Sequence, residues 1–228
     1  MSPAPKVVNA IEAYRIWSQE YDQTPNALLA LESRVLSRRL GNISGRRILD
    51  AGSGTGRWME WAQRCGARVF GVDACHEMIL KATGKPGLEG RSALADLNRL
   101  PVCDDAADIA ICSFTIGYLA SAGPVLRELA RVARRVIISD LHPGAVLRGW
   151  TRSFRAGGEL YQVQHYSHSA EELEAAASEA GLTPEWRVEP SFGDAERGIF
   201  NRAGKEQMFE DSQGLPAVLI TAWTRSPD

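Results

Sequence analysis

The stretch Arg47-Ile48-Leu49-Asp50-Ala51-Gly52-Ser53-Gly54-Thr55-Gly56-Arg57-Trp58 constrains this chain more than any other. It reads as a short buried strand, a glycine turn and the first turn of a helix. Ile48 and Leu49 supply the apolar run, and Asp50 falls where the strand emerges. Glycine at every second position lets the backbone reverse tightly and lets a ligand lie against the main chain. The helix that follows aims unpaired N–H groups and the positive end of its dipole at that ligand. The spacing is G-x-G-x-G, not the G-x-G-x-x-G of dinucleotide-binding folds, whose third glycine serves helix–strand packing.

Three more segments follow in order. Ala67 to Asp73 is a second strand ending in a carboxylate, placed to accept both hydroxyls of a ribose. Nicotinamide and adenosyl cofactors share that diol, so Asp73 alone does not choose between them. Ala93 to Pro101 contains the pair Asp96-Leu97, and Ala107 to Phe114 reads as a central strand. Taken together over residues 46–140, the four segments resemble the class I S-adenosylmethionine-dependent methyltransferases.

The resemblance implies an α/β fold: a Rossmann-like three-layer sandwich with a mostly parallel seven-stranded sheet and an antiparallel last strand. An extra strand or cap is expected after strand five. One domain would cover residues 1–228, with a helical lid over 1–40, a cofactor-binding half over 46–140, and an acceptor cap and C-terminal half over 141–215. The implied cofactor is S-adenosylmethionine. Asp50, Gly52, Gly54 and Gly56 would form its cradle, with Asp73 on the ribose and Ala74 beside it. Met78 would wall the adenine pocket, although a Met at a helix start also suits plain core. Asp96 would accept the adenine amino group and Leu97 N–H would meet a ring nitrogen; a turn aspartate is the alternative. Ser113 and Phe114 would lie under the transferred methyl, with Tyr118 nearby for a cation–aromatic contact. Tyr21, in Tyr21-Asp22, would sit near the methionyl carboxylate.

Outside those segments, residues 9–40 read as two helices broken near Thr24-Pro25. Ile11, Tyr14, Trp17 and Tyr21 recur at helical spacing, either as a lid or as sheet packing. Strand five, Arg135 to Asp140, leads into His142, a candidate general base at a strand's carboxyl end; the alternative is a His-Pro turn without chemistry. Residues 144–168 would cap the acceptor, and Arg148, Arg152 and Arg155 would suit an anionic one. Glu159 to His168 alternates as a strand would, which puts His165 and His168 on opposite faces and argues against a metal pair. Ser169 heads a helix ending at Gly181. A strand follows around Pro184 to Pro190, then a polar excursion over 191–214, then a last strand from Pro216 to Thr224.

Composition sets the remaining limits. A net charge of −2 leaves no electrostatic footprint for nucleic acid or a membrane surface. No run approaches the roughly 20 apolar residues of a membrane span. Met1-Ser2-Pro3-Ala4-Pro5-Lys6 lacks a signal-peptide pattern, so a cytoplasmic location is expected. The four cysteines, Cys65, Cys75, Cys103 and Cys112, contain no C-x-x-C pair, and no metal site is expected. The implied activity is methyl transfer to an O or N atom of a small-molecule acceptor, without nucleic-acid or membrane partners. Two rivals are a protein that binds S-adenosylmethionine without transfer and a nicotinamide-dependent oxidoreductase. The glycine spacing and the reversed last strand disfavour the second.

Overall fold

The computed structural model describes residues 4–225, so the first three residues of the N-terminal stretch read above lie outside it, as do the last three of the chain. In chain order the elements are β1 (Lys6–Val8), α1 (Ala10–Trp17), a 3-10 turn (Tyr21–Gln23), α2 (Ala27–Leu40), β2 (Arg47–Ala51), α3 (Arg57–Arg64), β3 (Arg68–Asp73), α4 (His76–Thr83) and β4 (Ser92–Leu94). Then come β5 (Ala107–Ser113), a second 3-10 turn (Ile116–Tyr118), α5 (Gly123–Val132), β6 (Ala133–Leu141), α6 (Pro143–Leu147), β7 (Ser153–Ala156) and β8 (Glu159–Val163). The chain finishes with α7 (Ala170–Glu179), β9 (Leu182–Val188), α8 (Asp194–Arg202), α9 (Glu206–Asp211) and β10 (Val218–Arg225).

Seven strands form one sheet in the order β4-β3-β2-β5-β6-β10-β9. All pairings from β4 to β6 are parallel, and β10 runs antiparallel between β6 and β9. This is the expected mostly parallel sheet with a reversed last strand. β2 and β5 are neighbours although the chain visits β3 and β4 between them, so strand order reverses there and a crevice opens at their carboxyl ends. Helices cover both faces, so β2, β5 and β6 are nearly continuous apolar runs. One face packs Leu49, Leu126, Leu129, Leu173 and Trp223 under α5 and α7. The other packs Ile48, Trp58, Met59, Phe200 and Phe209 under α2, α3, α8 and α9.

Local chemistry starts the helices where they start. Asn9 accepts from Glu12 N, Asn26 accepts from Leu28 N and Leu29 N, and Ser169 and Glu172 close a reciprocal capping box. Each such cap is worth about 1 kcal/mol.

Two regions differ from the sequence reading. The excursion over 191–214 folds into α8 and α9, which bury Phe200 and Phe209. Arg34 of α2 grips Glu196 of α8 with bonds of 2.8 and 3.1 Å, fixing that pair of helices. The extra strand read over 159–168 stops at Val163 and does not join the main sheet. It is the centre of a separate three-stranded sheet, β1-β8-β7, with β1 parallel and β7 antiparallel. Gly157 and Gly158, at φ 56° and 82°, turn β7 into β8. This small sheet packs Phe154 and Val163 against Ala13 of α1, so the N-terminal helix rides on the cap.

Candidate active site

The glycine turn after β2 is stapled to β3, because Gly52 N and Ser53 N both donate to Val72 O, at 2.8 and 2.9 Å. Gly52 and Gly54 take φ values of 77° and 54°, which side-chain-bearing residues rarely adopt. A Cβ on Gly52 would collide with the Thr115 side chain, and one on Gly54 would sit 3.4 Å from Met78 Cε. Both glycines border a cavity of about 790 Å³ over the carboxyl ends of β2, β3 and β5.

Every expected cofactor residue except Gly56 lines this cavity. Gly56 instead opens α3 at φ 82°, where a Cβ would lie 3.0 Å from Leu88 Cδ1 and 3.3 Å from Ala82 Cβ. Its freedom serves close packing of α3 on α4, not the ligand.

Asp73 is fixed by two backbone amides, Gly54 N on Oδ2 at 2.7 Å and Cys75 N on Oδ1 at 2.8 Å. Burial raises its carboxyl above the ordinary range. Asp50 is pushed up to about 7 by burial, against the pull of Arg57 and with added pressure from Asp73 and Glu32. Asp96 shows the turn role. Oδ1 takes Asn98 N and Nδ2 at 2.9 and 2.8 Å as a turn residue, and Oδ2 accepts no bond from the described residues.

Sequence reasoning missed a buried network at the Asp50 end. Glu32 of α2 is fully buried and accepts from Arg57 Nη2 at 2.8 Å, Trp58 Nε1 at 3.1 Å, Ser113 Oγ at 2.9 Å and Ser139 Oγ at 2.7 Å. Arg57 also donates to Ser113 Oγ at 2.8 Å and lines the cavity. A signal existed: a cation at the first position of a helix opposes the helix dipole and needs another reason to be there.

A second cavity of about 370 Å³ adjoins the first and shares Tyr14, Tyr21, Leu29, Phe114 and Tyr118 with it. The Tyr14 and Tyr118 hydroxyls are 2.5 Å apart. Arg152 Nη1 donates to Tyr118 Oη at 2.6 Å and Phe114 O at 2.9 Å, and its Nη2 pairs with Asp140. The guanidinium lies over both rings, at 5.0 and 4.9 Å from their centroids. Phe114 has φ 51°, a strained conformation for an aromatic residue and one that clusters at functional sites. Burial would lift Asp140, but Arg152, His165 and the Leu141 amide outweigh it and hold the carboxyl at about 2. Burial also pushes Tyr21 up to about 12 and raises Tyr14 and Tyr118, so all three stay protonated near neutrality.

The N-terminal stripe borders the cavity on one side and packs on the small sheet, not the main one, on the other. Ile11, Tyr14 and Tyr21 line the first cavity, while Trp17 stacks on Phe154 of the cap at 4.6 Å. Asp22, in the 3-10 turn after α1, ties that turn to the glycine turn by accepting from Thr55 Oγ1 at 2.5 Å.

His142 lines neither cavity. It caps α6, with Nδ1 accepting from Gly144 N at 3.0 Å and Nε2 lying 3.3 Å from Glu189. The structural His-Pro turn is the reading this geometry supports. Of the three arginines, Arg152 borders the second cavity, and Arg148 and Arg155 line neither of the two. Arg148 donates to Pro216 O at 2.9 Å, and Arg155 is exposed on β7. His165 lies 3.3 Å from Asp140, and His168 meets Leu119 O at 2.9 Å.

A sheet with this switch point and reversed strand, carrying a glycine-rich turn beside two strand-end carboxylates, has the architecture expected of an adenosyl-cofactor fold. Residues 49–136 match the family model described as a methyltransferase domain. The chain is 30% identical over 193 residues to a ubiquinone biosynthesis O-methyltransferase of Bordetella parapertussis, covering 75% of this chain and 77% of that one. It is 30% identical over 132 residues to a malonyl-[acyl-carrier protein] O-methyltransferase of Hamiltonella defensa, covering 57% of this chain. The chain spans only 50% of the length of that second relative. A solved S-adenosylmethionine-dependent methyltransferase from Mesorhizobium loti superposes with a TM-score of 0.68 at 21% identity, over 88% of this chain and all of that one. The chain belongs to the class I S-adenosylmethionine-dependent methyltransferases, whose cofactor is S-adenosylmethionine. Among the described residues, no helix is long and apolar enough to cross a membrane.

Proposed function

We propose that this protein transfers the methyl group of S-adenosylmethionine to an O or N atom of a small-molecule acceptor held in the second cavity. The observation that carries this reading is the junction of the two cavities at Tyr14, Tyr21, Phe114 and Tyr118. The two relatives named above are both O-methyltransferases, which favours oxygen.

When bound, the cofactor supplies an electrophilic methyl on a positively charged sulfur. Asp73, held rigid by two amides, would take the ribose hydroxyls. Asp96 Oδ2 and Leu97 N–H would take the adenine edge beside Met78, with Ala74 against the ring. Asp50 and Arg57 present opposite charges at the other end of the cavity, suited to an ammonium and a carboxylate. Gly52 and Gly54 leave the backbone bare for close approach. The lid and the aromatic junction align donor with acceptor and exclude water, the main demands of this chemistry.

Calorimetric titration with S-adenosylmethionine and S-adenosylhomocysteine, with NADH as control, tests the reading. Binding of both adenosyl ligands and not of NADH is expected, and Asp73→Ala should weaken it at least about tenfold, the equivalent of one charge-assisted hydrogen bond. Absence of adenosyl binding overturns it.

A further inference from the structure

The second cavity has its own chemistry. Trp150 and Phe192 lie 5.8 Å apart and 18° from parallel, and Phe200 stands edge-on to Phe192 at 4.9 Å. With Trp17 these rings make walls that suit a flat ring. No Asp, Glu or His lines the cavity; its charged residues are Arg152 and Lys205. Arg152 is neutralised by Asp140. Lys205 is exposed at the start of α9, and the lysine ion pairs among the described residues belong to Lys6 and Lys85 instead. The cavity is therefore an aromatic slot with one uncompensated cation at its edge.

The inner end supplies donors and no base. Arg152 can only donate to Tyr118. Of the two hydroxyl protons of Tyr14 and Tyr118, one closes their mutual bond and the other is left to donate into the junction. Donors without a base suit a hydroxyl that ionises unaided. An aromatic hydroxyl, with a pKa of about 10 in water, loses its proton far more readily than an aliphatic alcohol, and Arg152 and the free tyrosine proton favour its anion against the burial that raises Tyr14 and Tyr118.

We propose that the second cavity binds a planar, ring-hydroxylated carboxylic acid, with its ring against the aromatic wall of Trp150, Phe192 and Trp17, its hydroxyl at the Tyr14–Tyr118 pair and its carboxylate toward Lys205. This rests on the methyl-transfer reading above. The ring hydroxyl releases its proton to solvent. Its oxygen then bonds to the methyl carbon as the carbon–sulfur bond breaks, and the electron pair of that bond stays on sulfur as a neutral thioether.

The test loads the full chain with S-adenosylhomocysteine and titrates it with protocatechuate, caffeate and hydroxynaphthoate. Catechol serves as the neutral planar control and cyclohexanecarboxylate as the saturated acid. At least one of the three planar acids should bind, about fivefold or more tighter than catechol, and cyclohexanecarboxylate should not bind. Lys205→Glu, an exposed change that leaves the core alone, should weaken the bound acid about tenfold and leave catechol unaltered. Phe192→Leu should weaken both. If S-adenosylhomocysteine binds but none of the planar acids does, or if Lys205→Glu leaves acid affinity unchanged, the acceptor proposal is overturned while the cofactor reading stands. Failure of S-adenosylhomocysteine to bind removes both.

Discussion

At the scale of single residues, the site is governed by what burial does to charge. Asp50, unfolded, titrates near the usual carboxylate value; folded, it is pushed up to about 7. A raised carboxyl contributes stability when protonated, and that contribution is lost as pH rises from about 4 toward 7. A cationic ammonium placed beside it favours the ionised form. Affinity for S-adenosylhomocysteine should therefore rise with pH up to about 7, by at most about tenfold per unit, and level off above. Below that pH, binding should release up to one proton, visible as a dependence of the calorimetric heat on buffer ionisation enthalpy. Asp50→Asn should flatten the profile, and a wild-type affinity flat across this range would remove Asp50 from the ammonium. Glu32 makes a contrasting case, because it does not line the cavity yet holds four donors from three elements. Glu32→Ala would strand the Arg57 guanidinium beside a buried gap. A loss of about 3 kcal/mol or more in denaturant unfolding is expected, with weakened cofactor binding through the displaced Arg57.

Between elements, the second 3-10 turn is seated on Asp140 through Gly117, whose N–H reaches Oδ2 at 2.6 Å. A Cβ there would also come to 2.6 Å from that oxygen and would collide with the His165 ring. Gly117→Ala should cost about 1–3 kcal/mol by overpacking and also weaken S-adenosylhomocysteine binding, since Phe114 to Tyr118 move with the turn. Ser169→Ala, which removes only the α7 cap, should cost about 1 kcal/mol and leave binding intact. Denaturant unfolding and ligand titration on both variants separate the two effects. The difference in legibility between these elements has the same root. β2, β3, β5 and β6 could be read because strands buried on both faces are unbroken apolar runs closed by Asp, Ser or Gly, and α7 because its cap is written in adjacent residues. β1 and β7 could not, since three or four residues carry no period and their pairing with β8 depends on distant chain. α8 and α9 present polar surfaces around Phe200 and Phe209, so only tertiary contact reveals their buried side. His142 does follow the carboxyl end of β6. However, β6 pairs through Leu141 with Val218, and His142 N bonds Ala217 O, which ties the residue to β10 and away from the crevice.

Across the whole molecule, the cap and the main sheet meet at the buried Asp140 near the end of β6, which faces Arg152 before β7 and His165 after β8. The same arginine holds Phe114 O and Tyr118, so the junction of the two cavities depends on how the cap is docked. In the native protein Asp140 sits at about 2, below its unfolded value. Its contribution to stability is thus fully present above roughly pH 4 and is lost as pH falls through about 2. Replacing Arg152 by Met keeps much of the apolar stem but leaves the carboxylate buried without its main counter-charge. A loss of about 3–5 kcal/mol at neutral pH is expected. The sign of the pH dependence should change as well. With Arg152 gone, burial is opposed only by His165 and the Leu141 and Gly117 amides, so the Asp140 carboxyl is expected to rise above its unfolded value and stability of the variant to fall as pH climbs from about 4 to 7, where the native contribution of this group is flat. Asp140→Asn on the Arg152→Met background removes the titrating group and should restore a flat profile. Denaturant unfolding of the three proteins across that range checks the argument, and an Arg152→Met variant whose pH profile parallels the wild type would mean that the cap is docked by its apolar contacts, Trp17 on Phe154 foremost, and not by the ion pair.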